Sequence, residues 1–144
     1  MNGYLLDTNI CIYYIKGKYN LDKKFDAVDS DSLFISEITL AELKFGVENS
    51  AVPDKNRSVL QDFLSGLQIL PIFEALDIFA KEKARLRKSG IPVDDFDLLI
   101  GTSAVANDMV LVTNNVKHFE RINGIRIENW TINGSSGLIM LFGN

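Results

Sequence analysis

The alternation of short apolar runs with longer segments of helical periodicity limits the fold of this chain more than any other feature. The clearest helical segment is "FEALDIFAKEKARLRKSG" at 73–90, whose apolar residues recur near the 3.6-residue period. Strands that are apolar throughout are covered on both faces, which is typical of parallel sheets flanked by helices. We therefore predict an α/β fold with three α/β/α layers and a mostly parallel central sheet. The predicted strands are 4–7, 33–36, 67–72, 110–113 and 125–130.

Proline and glycine define several element boundaries. Pro53 suits the first turn of a helix, and Gly90 occupies the position that follows a helix end. Pro71 cannot donate a ladder hydrogen bond, so we expect the strand at 67–72 to lie near a sheet edge. The predicted helices are 9–16, 21–29, 39–48, 53–67 and 73–89, followed by a buried helix that begins at Asp97.

The length of 144 residues suits a single domain. We assign 1–130 to that domain and 131–144 to a C-terminal tail, because "TINGSSGLIMLFGN" combines a Gly/Ser hinge with a short apolar end. The tail is either a loose terminus or an added strand that contacts another chain, since an exposed "LIMLF" would be adhesive.

Charge and cysteine content restrict the partners and the compartment. The formal net charge of −4 argues against a broadly positive surface that binds polyanions, although a metal ion could offset the acids locally. A lone cysteine, Cys11, forms no internal disulfide and suits a reducing compartment as a small core residue. The chain shows neither a signal peptide nor a membrane-spanning run. We therefore expect a cytoplasmic protein without membrane contact.

Acidic side chains interrupt several apolar segments. Asp7 divides the apolar stretch "YLLDTNICIYYI", where a carboxylate is costly unless a helix N-terminus or a cation compensates it. Because ligands of parallel sheets bind beyond the carboxyl ends of the strands, Asp7 and Asn115 should meet at one edge. Glu42 and Asp97 also lie in apolar helical segments. Oxygen ligands of this kind suit Mg²⁺ or Mn²⁺, so we predict that Asp7, Glu42 and Asp97 bind such a cation.

Each of these acids has a purely structural alternative. Asp94 and Asp97 match a capping pattern, Thr39 and Glu42 match a capping box, and Asp7 could cap the helix that follows it.

Two further interpretations concern residues outside the acidic set. His118, the only histidine, is predicted to lie on the surface of a short helical turn, and a role as general base is the alternative. Phe25, Phe63 and Phe73 are predicted to be core residues rather than base-stacking platforms.

Three stretches together strongly resemble the PIN-domain ribonucleases, in particular the VapC-type toxins of bacterial toxin–antitoxin pairs. They are "LLDTNICI", "ISEITLAELKFGVENS" and "IPVDDFDLLIGTSAVANDMVLVTNNVKHFERINGIRIENW", and the resemblance extends from Tyr4 to Trp130. The resemblance implies a PIN-like parallel sheet, an acidic Mg²⁺ site and endoribonuclease activity on an RNA substrate. It also implies a cognate VapB-like antitoxin that covers the site, and a homodimer.

The resemblance carries over to single residues. Asp7 matches the acid of the "LDTN" motif, Glu42 the acid of the helix after the second strand, and Asp97 the acid before "LLIG". Asn115 stands where many members carry a fourth acid, which lowers the charge of the site by one and puts a firmly held second metal in doubt. We expect a second layer of hydrogen bonds to the carboxylates or to ligand waters from Thr8, Asn9, Thr113 and Asn114.

Two other functions remain open at this stage. A catalytically weak PIN-like module that binds RNA or protein is compatible with Asn115. A covalent-aspartate phosphatase would also carry an acid after its first strand, but Asn9 stands where that mechanism needs a second aspartate.

Overall fold

The computed structural model describes residues 3–132 and contains a five-stranded sheet with the order β3-β2-β1-β4-β5. All neighbouring strands are parallel, which confirms the predicted α/β fold. The strands are β1 (Tyr4–Leu6), β2 (Leu33–Ser36), β3 (Gln68–Leu70), β4 (Val110–Val112) and β5 (Ile127–Glu128). The helices are α1 (Thr8–Ile15), α2 (Leu21–Asp26), α3 (Glu37–Glu48), α4 (Pro53–Leu64), α5 (Leu76–Lys88), α6 (Asp95–Ala106) and α7 (Val116–Phe119).

Two hydrophobic cores lie on opposite faces of the sheet. Successive side chains of a strand point to opposite faces, so Leu5 packs into the core under α5 and α6, whereas Leu6 packs into the core under α1, α2 and α4. Cys11 is fully buried in the second core, and burial raises the pKa of its thiol, as expected of a structural cysteine. No helix within residues 3–132 is long and apolar enough to cross a bilayer.

The order of the strands reverses direction between β1 and β4. The chain runs from β1 outward through β2 to β3 on one side, and then returns to β4 on the other side of β1. In open parallel sheets the crevice beyond the carboxyl ends at such a point is the usual ligand site. The backbone N–H of Asp7 donates to the carbonyl of Val112 at 2.9 Å and so places Asp7 at this crevice.

Several helix boundaries differ from the prediction, because a side chain caps one helix earlier and backbone hydrogen bonds close two others sooner. The side chain of Ser36 accepts from the N–H of Ile38 at 3.0 Å, so α3 begins at Glu37. α2 ends at Asp26, where the N–H of the next residue, Ala27, donates back to carbonyls of the last turn, and Asp29 then caps a short 3-10 turn. α4 ends at Leu64 instead of 67, where i→i+3 hydrogen bonds close its last turn.

The segment before α5 also differs from the predicted helix. Phe73–Ala75 forms a separate 3-10 turn, and Phe73 is 76% exposed instead of lying in the core. Phe25 and Phe63 are buried as predicted. The strand with Pro71 at its end, β3, lies at the edge of the sheet, which confirms that expectation. The predicted tail lies outside the described residues from 133 onward.

Candidate active site

Asp7 is a buried carboxylate at the carboxyl end of the central strand, with 5% of its surface exposed. Its Oδ1 accepts from the N–H of Thr8 at 2.8 Å, and its Oδ2 accepts from the hydroxyl of Thr113 at 2.8 Å. Asp7 is also the N-cap residue of α1. The same side chain therefore caps a helix and belongs to the predicted acidic site. Within residues 3–132 it forms no ion pair, and only neutral groups compensate its charge.

Glu42 approaches the same edge from α3. The hydroxyl of Thr8 donates to Glu42 Oε1 at 2.6 Å and lies 3.0 Å from the hydroxyl of Thr39. Because Ser36 caps α3, the Thr39 and Glu42 pattern is not a capping box here. The side chain of Glu42 therefore contacts the residue that follows Asp7.

Asp97 lies in the first turn of α6, where Asp94 is the N-cap residue and accepts from the N–H of Phe96 at 3.1 Å. The predicted helix start at Asp97 was therefore two residues late, and Asp97 has no capping role. Its Oδ2 lies 3.0 Å from Nε2 of His118. Histidine was predicted to be an ordinary surface residue, and the structure instead places it against a candidate metal ligand.

The segment after β4 forms hydrogen bonds at this edge of the sheet with both its backbone and its side chains. The hydroxyl of Thr113 also accepts from the N–H of Asn115 at 3.0 Å. Asn114 donates to the hydroxyl of Tyr13 at 3.3 Å rather than to a carboxylate. The side chain of Asn115 is exposed, and the catalytic role predicted for it remains a prediction.

A hollow of about 560 Å³ opens beside Glu42. Thr8, Asn9 and Glu42 line it together with Phe45 and Phe96, of which the two phenylalanines are largely exposed. Asn9 forms no hydrogen bond to the carboxylates within the described part of the chain, although its side chain faces this hollow. The hollow leaves room for a substrate segment next to Glu42.

The negative charges of Asp97 and Glu42 act on the buried carboxylate of Asp7. Burial raises the pKa of Asp7 to about 6, and the charges of Asp97 and Glu42 add to the rise, whereas the hydrogen bonds from Thr113 and Thr8 oppose it. Burial also raises the pKa of Asp97, and His118 counteracts this. Burial and neighbouring negative charge therefore both oppose the ionisation of Asp7.

The donor chemistry fits a hard divalent cation, but three direct ligands are not already gathered. Among residues 3–132, no group of three His, Cys, Asp or Glu side chains is close enough together to hold a metal ion. Mg²⁺ usually takes one or two protein carboxylates and keeps several waters. An ionised carboxylate has about four acceptor positions, so Asp7 keeps capacity for a cation beside its two hydrogen bonds.

The sequence profile of the PIN domain matches residues 4–125 of this chain. The chain belongs to the PIN domain family. This PIN domain is 39% identical over 131 residues to the tRNA(fMet)-specific endonuclease VapC of Salmonella typhimurium, covering 90% of this chain and 99% of the relative. It is 40% identical over 134 residues to ribonuclease VapC2 of Haemophilus influenzae, with coverage of 90% and 99%.

Solved structures give the same result. The DNA-bound VapBC structure from Salmonella typhimurium matches this PIN domain with a TM-score of 0.85 at 39% identity, covering 90% of this chain and 99% of that one. VapBC-1 from nontypeable Haemophilus influenzae matches with a TM-score of 0.80 at 32% identity, covering 90% and 98%. The resemblance to VapC proteins that the motifs indicated is therefore confirmed.

The contact between His118 and Asp97 is the part of this PIN domain that sequence reasoning missed. The two residues are 21 positions apart and lie on different helices, α7 and α6. The available signal was that His118 follows "VTNN" within one helical turn, close to the edge where the acids were expected.

Proposed function

We propose that this PIN domain is a Mg²⁺- or Mn²⁺-dependent endoribonuclease that acts as the toxin of a type II toxin–antitoxin pair. The observation that carries the proposal is the buried Asp7, which lies near Asp97 and Glu42 and has no cationic partner among the described residues. Similarity to an endonuclease and a ribonuclease of the VapC group supports the substrate class.

The three acids of the site would have different roles in catalysis. Asp7 and Asp97 would hold the cation directly or through water, and a bound divalent cation supplies a water of lowered pKa and stabilises charge on the phosphate. Glu42, fixed by Thr8, would complete the shell or orient the attacking water as a general base. Attack by water leaves a 5′-phosphate and a 3′-hydroxyl and does not need the ribose 2′-hydroxyl.

A direct test expresses the chain alone and then assays the purified protein on RNA with Mg²⁺ or with EDTA. We expect growth arrest and Mg²⁺-dependent cleavage, both abolished by Asp7→Asn. Asp77→Asn removes an exposed acid on α5 and serves as the matched control. A 2′,3′-cyclic phosphate on the products would contradict the mechanism, and equal behaviour of the wild type and Asp7→Asn would contradict the enzyme.

A VapB-like antitoxin is the proposed partner. An apolar groove of about 340 Å³ between α1, α3 and α4 is lined by Ile12, Leu43 and Val59 and reaches Glu42, so an apolar segment bound there would end at the acids. Solved relatives that contain VapB with VapC support this choice. If a small neighbouring reading frame encodes the antitoxin, coexpression should relieve the growth arrest, and Val59→Glu should weaken copurification.

We also propose a homodimer. Ile69 of β3, Phe73 of the 3-10 turn and Leu76 of α5 form an exposed apolar surface. It lies beside the outer edge of β3, which pairs with no further strand within residues 3–132. Phe73→Glu should convert a dimer to a monomer in sedimentation, and an unchanged sedimentation coefficient would contradict this surface.

A binding module without catalysis is the second candidate. The exposed Asn115 and the lack of a preassembled three-ligand group within residues 3–132 favour it. RNA binding without cleavage at any concentration of Mg²⁺ or Mn²⁺ would select this alternative.

A further inference from the structure

One short segment touches both carboxylates that are proposed to hold the cation. The hydroxyl of Thr113 donates to Asp7 Oδ2 at 2.8 Å, and five residues later Nε2 of His118 lies 3.0 Å from Asp97 Oδ2. The relative placement of Asp7, which follows β1, and Asp97, which lies on α6, is therefore tied to the geometry of the chain between 113 and 118.

The core fixes the position of α7 against α6. Phe119 is fully buried, and Gly101 of α6 leaves the space that it needs. A Cβ atom at Gly101 would lie 3.3 Å from Cδ1 of Phe119 and 2.4 Å from Cδ1 of Ile122. The close approach of α7 to α6 thus depends on a residue without a side chain.

Two kinds of contact restrain His118: packing of its ring against a neighbouring ring, and hydrogen bonds of the helix backbone. It packs edge-on against the ring of Phe119, with 5.6 Å between the centroids. The N–H groups of His118 and Phe119 both donate to the carbonyl of Asn115, at 3.2 and 3.3 Å. Because these contacts restrain the imidazole, the contact between Nε2 of His118 and Oδ2 of Asp97 also restrains the Asp97 side chain.

We propose that His118 is a positioning residue, which holds Oδ2 of Asp97 so that the other carboxylate oxygen, Oδ1, could serve as a ligand of the cation. This inference rests on the proposed metal-dependent function. The side chain of Asp97 is partly buried, and its only ion pair or side-chain hydrogen bond within residues 3–132 is with His118. Without that contact, the carboxylate would sample several rotamers and bind the cation less often.

The same geometry argues against His118 as the general base. Its Nε2 is engaged with Asp97, whereas Glu42 faces the hollow where substrate would lie. His118 therefore acts through Asp97 and not on the reacting atoms.

The test measures Mn²⁺ binding by electron paramagnetic resonance and Mg²⁺ binding by calorimetry on the purified full chain. Loss of a hydrogen-bonding partner behind a metal ligand typically lowers metal affinity by about 10- to 100-fold, and we expect this for His118→Ala. His118→Gln keeps a donor and should recover most of the affinity. Lys117→Ala, an exposed neighbour on α7, should bind as the wild type does.

Two further readouts separate positioning from general damage. Thermal unfolding in EDTA should be nearly the same for the wild type and His118→Gln, because the fold is intact. In RNA cleavage at limiting Mg²⁺, kcat should fall for His118→Ala while KM for RNA stays unchanged.

The outcomes distinguish this inference from the function on which it rests. Unchanged or tighter Mg²⁺ and Mn²⁺ binding by His118→Ala would overturn the positioning role and leave the metal-dependent nuclease intact. A wild-type protein that binds neither ion would overturn both.

Discussion

Asp7 and Thr113 are separated by 106 positions in the sequence, yet the hydroxyl of Thr113 donates to the carboxylate of Asp7 at 2.8 Å. This hydrogen bond joins the residues that follow β1 and β4, the strands between which the sheet changes direction. It also lowers the cost of the buried charge, since hydrogen bonding to an ionised carboxylate favours its charged form.

Asp7→Asn should stabilise the metal-free protein at pH 8. The pKa of Asp7 rises from 3.8 to about 6 on folding, so the ionised side chain opposes folding above pH 6. The opposition disappears as the pH falls from about 6 to about 4, because the folded protein then binds the proton more tightly than the unfolded chain. The gain at pH 8 should reach at most about 3 kcal/mol.

Urea denaturation in EDTA at pH 8 and pH 4 measures this difference. We expect Asp7→Asn to exceed the wild type at pH 8 and to match it at pH 4. Asp77→Asn should change stability little at either pH, because this acid is exposed. A destabilised Asp7→Asn protein at pH 8 would show that the carboxylate already has adequate compensation.

Thr113→Val should lower the stability of the protein, because it removes the donor of the hydrogen bond to Asp7. Valine keeps the shape of this fully buried side chain but removes the donor to Asp7 and the acceptor for the N–H of Asn115. A hydrogen bond to a charged group contributes about 1.5–3 kcal/mol, so we expect a loss of that order at pH 8. Thr113→Ser keeps the hydroxyl and should lose less, which denaturation curves of the two variants would show.

Gly101→Ala and Gly46→Ala should have opposite effects. A Cβ atom at Gly101 would lie 2.4 Å from Cδ1 of Ile122, whereas a Cβ atom at Gly46 meets nothing within 4 Å. Overpacking typically costs about 1–3 kcal/mol, and alanine in an open helical position gains about 0.5–1 kcal/mol over glycine. Thermal unfolding should therefore lower the Tm of Gly101→Ala and raise that of Gly46→Ala. Equal shifts would mean that α7 can move away from α6 at little cost.

Glu82→Gln should destabilise the protein at neutral pH and not in acid. Glu82 is buried, pairs with Arg85 at 2.8 Å and accepts from the N–H of Asn123 at 2.8 Å, so it fastens the loop before β5 to α5. The hydrogen bond from Arg85 leads the causes that lower the pKa of Glu82. Its contribution is therefore present above the unfolded pKa of about 4.3 and is lost as the pH falls through the lower folded pKa.

The expected loss for Glu82→Gln at pH 7 is about 1.5–3 kcal/mol, as for other hydrogen bonds of charged groups. Glu74→Gln, at an exposed acid near the start of α5, is the matched control. Urea denaturation from pH 7 down to pH 2.5 should show the curves of Glu82→Gln and the wild type converging. A constant gap across that range would assign the stabilisation to packing instead of charge.

The strands and their edge at the site were predictable, because apolar runs of strand length alternate with helical segments. That pattern was sufficient to place Asp7 beyond β1 and the "VTNN" segment beyond β4. Helix starts were less predictable. Ser36 and Asp94 compete with nearby polar residues for the capping position, and only backbone geometry decides between them.

The role of Glu42 and the contact of His118 depended on tertiary packing. A Thr-x-x-Glu pattern alone does not show whether the glutamate caps its own helix or contacts another element. Here Glu42 accepts a hydrogen bond from Thr8 at the start of α1. The approach of His118 to Asp97 requires the space at Gly101, which no local pattern shows. Phe73 lies on the helical stripe of the sequence but in a 3-10 turn of the structure, and so points away from the core.

The central claim is that Asp7 and Asp97, with Glu42, share one divalent cation. Anomalous diffraction from crystals soaked in Mn²⁺ tests it most directly, because the peak locates the ion relative to each carboxylate. We expect one peak between Asp7 and Asp97, with carboxylate oxygens within coordination distance of it and water in the remaining positions. Soaked crystals with no peak at this edge of the sheet, or with the ion bound to other side chains, would contradict the account.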